Sequence, residues 1–370
     1  MKNAKPSVPL AGRLLKLLGR SVAASVLRSG VPRTARKDAY SVPRDLAAAG
    51  KVLIMLPAEP LDALHQLTTI ISLIAHFRHA TVDLLCAPAV APYAGTIQGV
   101  GRVIECGSMG DHPFSASMRR TAADLRHAGY DVCVVLDRAA DQSLLWLAGQ
   151  TGARVRAGFD VDGAYPYVNF RMHLGTRPLY RPDQNLFMAR MLGAAPKQNS
   201  RWGVSKIALE EAGRLLAEAH VAPDAPLVCF EGFSFCRRHG AEWTGAQMRR
   251  LGALGLRLCW LTAENTAPDE PAVALLRQER VPAFAGIPVA HVAALVRRAR
   301  LVIAGKSSLF EMAHLLDAQA IGVFDAGEAV SYCPASARIR CVCYNGAPDQ
   351  ATIEAVAAAA GSLAAVGSRY

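Results

Sequence analysis

Apolar and polar positions alternate in blocks along the chain. KVLIML (51–56) is a continuous apolar run of the kind that makes a buried strand, and residues 62–77 then carry apolar residues at helical spacing. TVDLLC (81–86), RVIEC (102–106), DVCVVLD (131–137) and RVRAGF (154–159) read as further strands. Helical segments are expected over 116–128, 140–149 and 183–192, the last ending at Gly193. A second cycle opens near 204. It has a helix over 205–219, a strand in PLVCFEG (226–232), a helix over 244–253 and a strand in LRLCWLT (256–262). Helices over 270–279 and 289–298 flank a short segment at 282–285. The run closes with LVIAG (301–305), a helix over 307–317 and AIGVF (320–324). Strands alternating with helices build parallel sheets covered on both faces. Two such cycles predict an α/β protein of two Rossmann-like, doubly wound domains, over 51–200 and 201–370, facing a cleft. Ligands of such sheets bind beyond the carboxyl ends of the strands.

Length agrees with that division, since 370 residues exceed one ordinary core. The composition, 52% hydrophobic and 19% charged, is that of a globular chain. No apolar run reaches the ~18 residues of a membrane span, and no signal-peptide core precedes a small-residue cleavage site. Nine cysteines are scattered without zinc-ligand spacing, so no metal site is expected. The odd count without a secretion signal suggests reduced thiols and a cytoplasmic location.

Charge changes the picture only at the N-terminus. Residues 1–50 hold ten Lys/Arg against Asp38 and Asp45, so this segment carries most of the net charge of +11. The nearly neutral remainder argues against a nucleic-acid partner. LAGRLLKLLGRSVAASVLR (10–28) would set Arg13, Lys16 and Arg20 on one helix face opposite Leu14, Leu15, Leu18 and Val22. Such a segment either lies on an anionic membrane surface, as a peripheral contact with the inner membrane, or is a surface helix or basic tail. Pro32 and Pro43 mark a linker.

AGKSS (304–308) resembles the end of a P-loop, but the glycine required five positions before Gly305 is Arg300. A strand, a tight turn and a helix start remain, and the free N–H groups of a first helical turn form an anion site. GTIQGVG (95–101) follows a helix-like segment and supports no dinucleotide fingerprint. No G-x-S-x-G elbow or H-E-x-x-H pair occurs.

LVIAGKSSLFEMAHLLDAQAIGVF (301–324) aligns without gaps on the signature of family 9 glycosyltransferases, the lipopolysaccharide heptosyltransferases: strand, Asp-Thr-Gly-Pro turn, helix, strand. KVLIMLPAEPLDALHQLTTIISLIAHF resembles that family's first strand, Gly-Asp loop and helix. ADLRHAGYDVCVVLDRAADQSLLWLAGQTGARVRAGF, PLVCFEGFS and EWTGAQMRRL resemble its later blocks, in order, so the resemblance covers about residues 51–325. The departures are specific. Lys306 stands for the family's Asp, Ser307, Ser308 and Leu309 for Thr-Gly-Pro, and Glu311 for a His. Leu61 and Asp62 stand for Gly-Asp, and Phe230 and Glu231 for His-Pro.

The resemblance implies a GT-B architecture and an inverting transfer of a heptose-like sugar. The donor would be a nucleotide sugar, and the acceptor a glycolipid, a lipopolysaccharide core or another surface glycan. No cofactor is implied. Asp62 matches the catalytic Asp and would be the general base; as a plain residue it would serve as a helix N-cap, and Glu59 is the alternative base. Ser307, the N–H of Ser308 and Lys306 would hold the donor diphosphate, unless Ser307 only caps the helix and Lys306 faces solvent. Glu311 is either a capping-box partner or a ligand of a sugar hydroxyl. Ser234, Arg237 and Arg238 lie where a diphosphate contact is expected, unless the two adjacent arginines only face solvent. Glu264, Asp269 and Glu270 either reach the nucleoside or form an acidic helix start. His65 and His76 read as ordinary helix residues, and charge stabilisation by Lys, Arg and helix dipoles needs no metal. A nucleotide-sugar epimerase and a silent nucleotide-sugar-binding relative share the architecture and remain alternatives.

Overall fold

The computed structural model describes residues 40–366 apart from 108, 110–114, 140, 176–178, 198–201, 223–224 and 264–268. Two six-stranded sheets organise them. The first contains β1 (Lys51–Met55), β2 (Thr81–Cys86), β3 (Val103–Glu105), β4 (Val132–Val135), β5 (Val155–Phe159) and β6 (Phe170–Met172). The second contains β7 (Leu227–Phe230), β8 (Arg257–Leu261), β9 (Ala283–Phe284), β10 (Leu301–Ala304), β11 (Ala320–Asp325) and β12 (Ile339–Tyr344). The orders are β3-β2-β1-β4-β5-β6 and β12-β11-β10-β7-β8-β9, all pairings parallel. Each is the Rossmann order, the second matching the first strand for strand. The central strands are apolar along their length because helices cover both faces: Val52–Met55, Val132–Val135 and Leu301–Ala304 are all buried.

In each sheet the order in which strands are added reverses between two central strands, β1 and β4 in the first and β7 and β10 in the second. A crevice opens beyond their carboxyl ends. The loops that leave these four strands, near residues 56–62, 136–139, 231–234 and 305–307, are therefore the ones that can build a site.

The predicted alternation holds, and the differences have local causes. The single helix expected over 62–77 is two helices, Pro60–Leu64 and Leu67–His76. The break falls where the His65 carbonyl accepts from the Asn185 side chain (3.1 Å) and the Gln66 side chain donates to the Leu136 carbonyl (2.9 Å). Asp62 consequently lies inside the first turn of Pro60–Leu64, whose N-cap is Glu59, and is not itself a cap. β6 is a three-residue edge strand, and β12 is a half-exposed edge strand, so neither carries a strong apolar signal. The helices Gly232–His239, Ala326–Tyr332 and Gln350–Val366 also lie outside the expected pattern.

Residues 40–50, grouped by sequence with the basic extension, pack on the first sheet. Helix Val42–Ala47 buries Leu46 in that domain's core, and the Tyr40 hydroxyl donates to the Asn169 carbonyl (2.7 Å). The proposed helix over 10–28 lies outside the described residues. The expectation of uniformly reduced thiols fails at one pair: Cys333 and Cys341 form a disulfide, with Cα atoms 6.4 Å apart. Composition gives no pairing signal for two cysteines eight residues apart, one at a helix end and the other on a strand. Among the described residues no helix is long and apolar enough to cross a membrane.

Candidate active site

The crevices of the two sheets face each other, and side chains from both meet between them. From the first domain come Asp62 and His65, at either end of the short helix after β1, and Arg138, beyond β4. Tyr180 and Arg181 come from the start of helix Arg181–Met191. From the second domain come Lys306 and Glu311, around the start of helix Ser308–Leu315. Tyr332 ends helix Ala326–Tyr332, which carries Glu328.

The side chain of Asp62 keeps 42% of its surface accessible. Its Oδ1 accepts a hydrogen bond from Arg181 Nη1 at 2.8 Å and lies 3.7 Å from His65 Nδ1. The His65 imidazole beside it holds the Asp62 carboxyl below its ordinary value. Partial burial works in the opposite direction, and the Arg181 guanidinium adds to the lowering. Asp62 and Arg181 line a cavity of about 290 Å³ with His65, Gln66, Asp137 and Arg138. Burial, then the like charge of Arg181, lowers the Arg138 pKa, so this cavity is a place where cations crowd.

His65, read from sequence as an ordinary helix residue, is buried in the wall between the domains. Its Nε2 lies 3.6 Å from Glu311 Oε2 and its ring packs against Tyr332. Glu311 is itself only 1% exposed. It accepts from the Tyr180 hydroxyl, 3.0 Å from Oε2, and this contact takes the place of a capping-box bond. Burial, then the Glu311 carboxylate, push the Tyr180 hydroxyl far above its ordinary value, so it remains a donor.

Beyond β10 the chain turns at Gly305, whose N–H donates to Glu231 Oε2 (2.9 Å); Glu231 Oε1 accepts from the Ser234 hydroxyl (3.1 Å). Buried Glu231 thus ties the two strand ends of the second crevice together, and Ser234 is used as a brace. Ser307 caps helix Ser308–Leu315, its Oγ accepting from the Phe310 N–H at 3.4 Å. The Ser308 hydroxyl beside it is buried with no hydrogen-bond partner among the described residues. Lys306 Nζ does not run to solvent: it lies 3.3 Å from Glu328 Oε1 and 4.6 Å from the centre of the Tyr332 ring. Arg238 reaches the same Glu328 at 3.8 Å and passes close to the Gly305 turn. The structure therefore gathers Lys306, Ser307, Ser308, Glu311 and Arg238 on the second domain's side of the cleft, opposite Asp62.

Two other sequence candidates, Arg237 and Glu270, stand apart. Arg237 is exposed and forms no ion pair among the described residues. Glu270 is exposed in the first turn of helix Glu270–Glu279, where Asp269 is the cap, accepting from the Ala272 N–H. Glu264 lies outside the described residues. Glu59 is exposed and lines a second cavity of about 760 Å³, which opens between Pro88–Tyr93 of the first domain and the loops after β8 and β9. Arg138, Tyr180, Arg181 and Tyr332 were not among the sequence candidates. Only Arg138 carries a signal, since it follows a strand that flanks the crevice. No group of three His, Cys, Asp or Glu side chains among the described residues could hold a metal ion.

No protein-family profile matches this chain, and no curated protein matches its sequence. Solved structures do match its fold. A family 9 glycosyltransferase from Veillonella parvula superimposes with a TM-score of 0.73 at 14% identity, over 86% of this chain and 97% of that one. The ADP-heptose lipopolysaccharide heptosyltransferase II of E. coli gives 0.69 at 17%, over 86% and 99%. The E. coli heptosyltransferase WaaC with ADP-2-deoxy-2-fluoro heptose gives 0.59 at 19%, over 83% and 97%. The chain has the GT-B fold of these glycosyltransferases, and the resemblance first met in short motifs extends across nearly all of their length.

Proposed function

We propose that this protein is an inverting glycosyltransferase that moves a heptose-like sugar from a nucleotide-diphosphate donor to a hydroxyl of a lipopolysaccharide core or another surface glycan. The observation that carries the reading is the pairing across one cleft of an accessible carboxylate, Asp62, with a cationic helix start, Lys306 to Ser308. The fold shared with heptosyltransferases supports it.

In this reading Asp62 takes the proton of the acceptor hydroxyl as its oxygen attacks the anomeric carbon from the face opposite the leaving group. The bond from that carbon to the diphosphate oxygen breaks, and the electron pair leaves with the diphosphate. Lys306, Arg238 and the free N–H groups at the start of Ser308–Leu315 neutralise the charge that develops there. The nucleoside lies in the 760 Å³ cavity by the loops after β8 and β9, next to Tyr93 and Pro288. Strand order supports that arrangement: β9, β8, β7 and β10 follow one another, so nucleoside and diphosphate occupy neighbouring strand ends. The acceptor enters the 290 Å³ cavity beside Asp62 and Arg138. The basic N-terminal segment would bring the protein to the inner-membrane surface, where a lipid-linked acceptor resides.

The test is a panel of nucleotide sugars, each incubated with and without extracted surface glycolipid. Release of nucleoside diphosphate that depends on the acceptor supports transfer. Turnover without acceptor would make the protein an epimerase or a hydrolase, and binding with no turnover a silent relative.

A further inference from the structure

Two cations from different domains converge on one aromatic ring. The Arg181 guanidinium carbon lies 4.7 Å from the centre of Tyr332, and Lys306 Nζ lies 4.6 Å from the same centre. Each also has a carboxylate. Arg181 Nη1 donates to Asp62 Oδ1 at 2.8 Å, and Lys306 lies 3.3 Å from Glu328. Arg181 therefore occupies an oxygen of the residue assigned as base, while its face rests on a ring that leads to the assigned diphosphate site. A carboxylate engaged in this way is a poor proton acceptor. Tyr180, just before Arg181, is tethered through its hydroxyl to Glu311, and Pro182 stiffens the first helical turn. A change of partner then needs only a movement of the Arg181 side chain.

We propose that Arg181 is a two-position residue: before the donor binds it pairs with one carboxylate oxygen of Asp62, and when the donor's diphosphate enters between it and Lys306 it transfers to the phosphate and frees the base. This rests on the glycosyl-transfer reading, and it adds a cation from the first domain to a diphosphate site otherwise built from the second. The exchange runs in this direction because a half-exposed ion pair is weak, whereas a guanidinium on a doubly charged diphosphate makes strong, forked, charge-assisted hydrogen bonds. Donor binding then prepares the base before the acceptor arrives, and Asp62 stays paired with Arg181 until the donor binds.

Calorimetric binding of inorganic pyrophosphate to the full chain tests this through a double-mutant cycle of Asp62→Asn and Arg181→Gln. If Asp62 competes for Arg181, D62N tightens pyrophosphate about two- to fivefold, the size of an exposed ion pair, and the gain disappears in the R181Q background. Simple removal of a negative charge would instead give the same gain in both backgrounds, which would overturn the switch and leave the donor site standing. Failure of pyrophosphate, ADP and UDP alike to bind the unsubstituted protein would overturn the donor reading itself. The same cycle with Asp62→Ala guards against a folding defect peculiar to the amide.

Discussion

Glu311 of the second domain and His65 of the first face each other at 3.6 Å in the buried wall of the cleft, and the Tyr180 hydroxyl closes the group with a 3.0 Å hydrogen bond to the same carboxylate oxygen. These contacts join the domains through polar atoms, which are costly to leave unpaired. Glu311→Ala would strand the Tyr180 hydroxyl, and we expect it to lower the unfolding free energy by roughly 1–3 kcal/mol. Glu311→Gln keeps an acceptor for Tyr180 and should lose well under half as much. Denaturant titration of the three proteins, followed by tryptophan fluorescence, makes the comparison.

Asp62 makes a prediction about pH. Its folded pKa is lowered, so the stability from its contacts is fully present above the unfolded value of about 3.9 and is lost as pH falls through the lowered folded value. The same shift keeps the carboxylate ionised throughout the neutral range. The acid limb of kcat/KM for the donor, which reports the free enzyme, should therefore fall below pH ~4. If donor binding removes Arg181, the limb in kcat should lie higher. An acid limb near pH 6–7 in kcat/KM would exclude Asp62 as the base. Asp62→Asn should reduce transfer by about 10²–10⁴-fold without loss of nucleoside diphosphate binding.

The parts of this site that sequence reveals are those encoded locally. A strand followed by a short loop and a helix start marks a crevice residue, which is why Asp62, Lys306 and Ser307 could be named in advance. His65 carries no such mark, because one imidazole three positions into a helix is ordinarily core filler. Arg181 lies 119 residues from Asp62 in the chain, and only the packing of helix Arg181–Met191 against Leu67–His76 brings them together. Tyr332 ends a helix on the far side of β11, and no local pattern announces its role. The topology was legible because buried parallel strands are apolar throughout. The edge strands β6 and β12 were not, because half their surface faces solvent.

Lys306 tests the proposed diphosphate site directly. Its side chain is a third exposed, and its ammonium has the Tyr332 ring and Glu328 as partners. A charged hydrogen bond to phosphate contributes about 1.5–3 kcal/mol. Lys306→Gln should thus weaken nucleoside diphosphate binding by about tenfold or more and flatten its salt dependence. Calorimetry at two ionic strengths would read both effects. Unchanged affinity would mean that Lys306 remains with Glu328 when the donor binds.

Gly232 opens helix Gly232–His239, and a Cβ there would lie 2.1 Å from the Trp260 indole, far inside contact distance. Neither side can easily yield. Trp260 is fully buried, packs edge-on against Phe233 with ring centres 5.1 Å apart, and points its indole N–H at the Met248 sulfur (3.3 Å). The backbone on the other side is held by Glu231, whose carboxylate accepts from both Gly305 N–H and Ser234. A methyl group at 232 would push against this brace and pass the strain to the Gly305 turn, where Lys306 begins the proposed diphosphate site. Gly232→Ala should therefore cost about 1–3 kcal/mol of stability, the usual penalty of overpacking, and should also weaken pyrophosphate binding although residue 232 touches no phosphate. Adding Trp260→Phe makes room for the methyl group, so the double variant should be less destabilised than the sum of the two single changes. Strict additivity of the two substitutions would show that the helix start relaxes without disturbing the turn.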